Sequence, residues 1–134
     1  MSIALSIAAS GLAAASLRLD VSASNIANAL SFAPLPTAKS AAGFPPAYDP
    51  LRVDQTETAG GGTAAKAVSV LPSYMPVYDP MAPYADSHGM VAAPNVDIGS
   101  QLVEALLARY TFAANAKVAS ADMRMTNSLL DMTV

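Results

Sequence analysis

The sequence predicts a mainly α fold, with long N- and C-terminal helices packed as a coiled-coil-like pair and a small irregular or β insert between them. Apolar and small residues recur every three or four positions near both ends of the chain. All ten prolines lie between residues 34 and 94, which leaves uninterrupted helix only to the two ends. The 134 residues suffice for one modest domain and are too few for two. The chain therefore divides into an N-terminal helix within 1–29, an insert over 30–94 and a C-terminal helix within 95–134.

The first helix reads from residue 3 to about 29. Leu5, Ala8, Leu12, Ala15, Leu19, Ser22, Ile26 and Ala29 form a seam with a seven-residue period, the pattern of a helix lying along partners. Ser2 is placed to cap its N-terminus. Gly11 costs up to about 1 kcal/mol relative to Ala in a helix interior, so it signals a close backbone approach. At 1.5 Å per residue the helix is roughly 40 Å long and cannot stand alone in water with one apolar side. Near its end, Asn25 and Asn28 lie one turn apart on one face. They either terminate the helix by bonding free carbonyls or fix the register of neighbouring helices as buried amides.

The insert is loops, edges and extended segments. Gly60-Gly61-Gly62 marks a turn, with short strand candidates at 51–53 and 67–71 on either side, a pattern for a small hairpin. The stretch from Tyr74 to Tyr84 mixes proline with three tyrosines. It reads either as an extended arm docking on a neighbour or as a surface loop folding back on the helices.

The second helix reads from 97 to about 131. Asn95 and Asp97 follow Pro94 and offer caps, with Asp97 also suited to the positive end of the helix dipole. Val103, Leu107, Tyr110, Ala114, Val118, Ala121, Met125, Leu129 and Met132 repeat with the period of an ordinary amphipathic helix. Met123, Met125 and Met132 suit adaptable packing.

Charged residues make up 13% of the chain against 53% hydrophobic, and the net charge is -3. No clustered basic surface exists for nucleic acid, which is excluded as a partner. So sparse a charge is explained most simply if much of the surface is covered by other protein; a compact Ala-rich bundle is the rival reading. There are no cysteines, so disulfides and thiolate metal sites are excluded. The first basic residue is Arg18, which does not fit a secretory signal, and an Ala/Ser stretch broken by Gly11 and followed by Asp20 does not fit an integral membrane segment.

No chemistry is legible. His88 sits in Asp86-Ser87-His88-Gly89, a turn, and adjacent Ser, His and Asp do not make a catalytic triad. The glycine triplet lacks the Lys-Ser/Thr of a phosphate loop. Asp49, Asp54 and Glu57 lie in a Pro-rich segment that pre-sets no calcium geometry. The reading is a non-enzymatic protein without cofactor or metal.

Ser24-Asn25-Ile26-Ala27-Asn28-Ala29, preceded by Arg18-Leu19-Asp20-Val21, resembles the N-terminal signature of flagellar axial proteins of the rod and hook. Tyr78-Asp79-Pro80, Ala85-Asp86, Gly89-Met90-Val91, Pro94-Asn95-Val96-Asp97 and Ala114-Asn115 are similar to members from the proximal rod. Gln101 stands where that pattern carries Glu, and Tyr110 and Phe112 where it carries Arg and Tyr. The resemblance implies a structural subunit exported through the flagellar type III apparatus without a cleaved signal. It would polymerise in the periplasm with other copies and sister rod proteins into the drive shaft that carries torque from motor to hook. The expected assembly residues are Leu5, Leu12, Leu19, Asn25, Ile26, Asn28, Asn95, Asp97, Val103, Leu107, Tyr110, Asn115, Val118 and Met125. The alternative is an exported helical adaptor or a membrane-surface-binding module.

Overall fold

The computed structural model describes residues 2–36 and 43–132. Met1, residues 37–42 and the last two residues, which fall inside the expected ranges 1–29, 30–94 and 95–134, lie outside the described residues. Helix α1 spans Ile3–Asn28 and starts at Ser2, whose Oγ accepts from the Leu5 N–H at 3.1 Å, as the sequence predicts. Helix α2 spans Ile98–Asp131 and starts at Asp97. The two lie side by side and antiparallel. Asn25 meets Gln101, Arg18 meets Glu104, Gly11 meets Asn115 and Ser2 meets Asp122, so position rises along one helix as it falls along the other.

Small side chains make that pairing close. Ala8, Ala15 and Ser22, three members of the expected seven-residue seam, are buried on α1 together with Ala14, Val21 and Asn25. From α2 the facing residues are Gln101, Glu104, Ala108, Asn115, Ala119 and Asp122, spaced at three, four and seven; of these only Ala108 is fully buried. A Cβ built on Gly11 would fall 2.7 Å from the Asn115 amide, so this is the close approach that the glycine signalled.

The insert forms two small sheets. Strands β1 (Leu51–Glu57) and β2 (Thr63–Ser69) pair antiparallel from Leu51↔Ser69 to Glu57↔Thr63, an extended version of the expected hairpin. Its turn lies against α1. Gly61 and Gly62 take positive φ values of 80° and 94°, and a side chain on either would run into Ile7 or Ser10 of α1. Ser10 Oγ in turn accepts from the Thr63 N–H at 3.2 Å.

The second sheet takes in Tyr74 to Tyr78, the first part of the stretch that the sequence reads as an arm or a loop. Strand β3 (Tyr74–Tyr78) pairs antiparallel with β4 (Met90–Pro94), in the register Tyr74↔Pro94 to Tyr78↔Met90. Prolines at 76 and 94 argued against strands. They are tolerated because of parity. Ala92, opposite Pro76, turns its N–H and C=O away from β3 to exchange bonds of 2.8 and 3.0 Å with Ala33. Pro76 therefore stands at a position where no ladder N–H is needed. Ala33, Pro34, Pro50, Val91, Ala92, Ala93 and Pro94 are the buried residues of the insert among those described.

Candidate assembly interface

Asn25 is the polar centre of the subunit. It is 1% exposed, and its amide makes four bonds. Nδ2 donates to the Leu51 carbonyl at 2.7 Å and to Gln101 Oε1 at 3.0 Å. Oδ1 accepts from the Leu51 N–H and from the Tyr48 hydroxyl, both at 3.1 Å. Both donors and both lone pairs are satisfied, which a buried amide requires. One side chain of α1 thereby sets the position of α2 and of β1. Asn28 is half-buried and donates to the Ser24 carbonyl at 2.9 Å, bonding a carbonyl near the helix end.

Two turns before Asn25, Arg18 Nε bonds Glu104 Oε1 across the helices. That bond holds the guanidinium even further above its usual pKa, while partial burial pulls the other way. Ser22, one turn on, is buried with no hydrogen-bond partner for its hydroxyl among the described residues.

At the start of α2, Asp97 Oδ1 accepts from the N–H groups of Gly99 and Ser100 at 2.9 and 3.4 Å, and Oδ2 from the Ser100 hydroxyl at 2.9 Å. The Ser100 hydroxyl first, then these N–H groups, hold its carboxyl below the ordinary carboxylate value. Asn95, the other cap offered by the sequence, instead ties the chain back to the insert through the Pro72 carbonyl at 2.8 Å. Asp86 organises the turn before β4, accepting from the N–H groups of His88 and Met90 at 2.8 and 2.9 Å. His88 is a surface turn residue, its side chain 83% exposed.

The apolar positions of the two helices part company. On α1, Leu5, Leu12 and Ile26 are half-buried and Leu19 is exposed. On α2, Val103, Leu107, Tyr110, Val118 and Met125 all point away from α1, between 50% and 72% exposed. Asn115, by contrast, faces Gly11. Sequence reasoning missed Tyr48, Ser10, the bond of Gln101 to Asn25 and the Arg18–Glu104 pair. The legible signal for the last was a lone acid in otherwise uncharged opening turns of α2. By length and composition Ile3–Asn28 is also apolar enough to cross a membrane; here its buried residues pack within the subunit.

A closely packed pair of long helices with an outward row of large apolar side chains on α2 is the build of a structural component. Comparison with known proteins agrees. A model of the flagella basal body rod protein family matches residues 5–29. The flagellar basal-body rod protein FlgC of Salmonella typhimurium is 39% identical over 121 residues, covering 84% of this chain and 82% of that protein. The FlgC proteins of Yersinia enterocolitica and Agrobacterium fabrum are 34% and 33% identical over 96% and 100% of this chain, and over 91% and 93% of their own lengths. The chain belongs to the FlgC family of flagellar basal-body rod proteins, a family of structural components and not of enzymes.

Proposed function

We propose that this subunit polymerises through the outward faces of its terminal helices, with other copies and with sister rod proteins, into the helical shaft of the proximal rod. In that place it carries torque from motor to hook. The observation that supports this most is the exposed row Val103, Leu107, Tyr110, Val118 and Met125. A contiguous apolar stripe of this kind marks a surface that other protein covers. A contact built around it that covers about 1,000 Å² of apolar area on the two partners together would contribute on the order of 25 kcal/mol at 25 cal/mol per Å². That exceeds the roughly 4–15 kcal/mol lost in freedom on association.

Delivery by the flagellar type III apparatus into the periplasm, with α1 retained, fits the way α1 is built into the fold through Asn25, Arg18 and Ser10. The decisive experiment complements a strain lacking this gene. The wild-type chain should restore basal-body rods and swimming, and Leu107→Asp should restore neither while the purified variant keeps wild-type helicity. Normal rods with Leu107→Asp would remove the α2 face from the proposal. The apolar length of α1 favours one rival, a membrane-surface module or exported adaptor. Strong flotation of the purified chain with anionic vesicles would support that rival, whereas a helix without a basic flank is expected to stay in the load.

A further inference from the structure

We infer that the projecting end of α2 in one copy lies along the outward face of α1 in a second copy, with Arg124 of the first over Asp20 of the second. The inference rests on the rod-subunit reading and names the partner surface for it. Ser2 bonds Asp122 at 2.6 Å at the start of α1. From Met123 to Asp131, α2 then runs on for nine residues, about 13 Å at 1.5 Å per residue. Met123, Met125 and Leu129 there are 53%, 61% and 65% exposed. Met125 and Leu129, four positions apart, share one side of the helix and present a face of large apolar side chains to a partner.

The outward face of α1 has the complementary shape. Ala9, Ala13, Ser16, Ala23 and Ala27 are exposed at spacings of four, three, seven and four. Side chains this small let a bulky helix come close. In the same row stands Asp20, exposed and without an ion-pair partner among the described residues. The exposed cations of the helical pair are on α2, at Arg109, Lys117 and Arg124. Arg124 rests on its own helix through bonds to Ser120, with no acid paired to it among the described residues.

These charges choose between the ways two copies can meet. Stacking α1 on α1 about this row brings Asp20 toward Asp20, and stacking α2 on α2 about its projecting end can pair Arg124 only with Asp131 and leaves Asp20 uncovered. The mixed contact puts opposite charges face to face and large side chains against small ones. Such a contact joins two different surfaces, so it repeats from copy to copy without closing on itself.

The absence of cysteines makes the test direct. Asp20→Cys and Arg124→Cys chains carrying different tags are expressed together in cells lacking the gene. Isolated basal bodies are treated with a bis-maleimide long enough to span an Arg–Asp pair in place of oxidant, since a direct disulfide needs Cα atoms within about 7 Å. A crosslink joining the two tags is expected. Rods that contain both chains and yield no mixed crosslink, or an Arg124→Cys pair in its place, overturn the contact while leaving the rod reading intact. Charge reversal is the second arm. Asp20→Arg and Arg124→Asp should each reduce rod number, and the double variant should recover it; a double variant no better than the worse single one overturns the pairing. A wild-type chain absent from basal bodies would remove the rod reading and this contact with it.

Discussion

The two helices, of 26 and 34 residues, sit in opposite circumstances. Helix α1 is held from several directions: by α2, by β1 through Asn25, and by the hairpin turn through Ser10. Helix α2 is held along one face, where Ala108 is the one fully buried residue among those described. The large side chains follow the opposite order to that of an ordinary core. Alanine, serine and asparagine are inside, while leucine, tyrosine and methionine are outside on α2. A subunit built this way takes its internal geometry from close backbone approach and polar bonds. Its large apolar side chains, the main source of burial free energy, are left outside that internal packing on α2.

That contrast can be broken most directly at Asn25. Asn25→Ala leaves the N–H and C=O of Leu51 facing an apolar methyl, and orphaned buried groups cost about 1–3 kcal/mol each. The expected loss is about 3 kcal/mol in urea unfolding of the isolated chain. A loss below about 0.5 kcal/mol, the usual size for surface changes, would show that α1 is no better held than α2.

Gly11→Ala tests the closeness of the helices. The new methyl displaces Asn115, and the expected cost is about 1 kcal/mol by thermal unfolding despite Ala's better helix propensity. In a Gly11→Ala, Asn115→Ala double variant the sign should reverse, since the obstruction is gone and the propensity gain remains. If the single variant is already stabilised, the helices are not in contact there.

Acid sharpens the comparison at the start of α2. The Asp97 carboxyl lies below its ordinary pKa in the fold, so its contribution is complete above the ordinary carboxylate range. It is lost as the pH falls through the lowered value, below about pH 4. Helicity of α2 should therefore fray on acidification, and Asp97→Asn should shrink that acid-dependent part in a circular dichroism titration. Asp86, lowered chiefly by the Met90 N–H, adds a change of the same sign, so Asp97→Asn leaves a remainder. An unchanged titration would place the acid response elsewhere.

The smallest effect is expected at Ser22. Its buried hydroxyl has no partner among the described residues, so Ser22→Ala should leave stability unchanged or raise it by about 0.5–1 kcal/mol. A clear destabilisation would mean the hydroxyl bonds a backbone carbonyl in solution.

The helices, their caps and the first hairpin were legible because each carries a local signal: Ser2 and Asp97 for starts, a glycine triplet for the turn, apolar periodicity for the rest. The pair β3 and β4 was not. Pro76 and Pro94 look like strand breakers until the ladder's parity is known, and parity depends on Ala33, far away in the chain. The orientation of α2 was hidden for another reason. A period of 3.6 says that one side of a helix is apolar but not whether the chain itself or a neighbour covers it, and Val103, Leu107 and Tyr110 face outward. The four bonds of Asn25 were half legible. A register role was readable from the motif, but Tyr48, Leu51 and Gln101 come from separate segments that only the fold brings together.

The bond from Ser2 to Asp122 joins residues 120 positions apart. Contacts of such long range form slowly, because nearly the whole polypeptide must be gathered before they contribute anything. Whichever terminus is free first, the helical pair cannot zip shut until the other is available to meet it. The architecture thus makes the pairing of its helices wait for a nearly complete polypeptide.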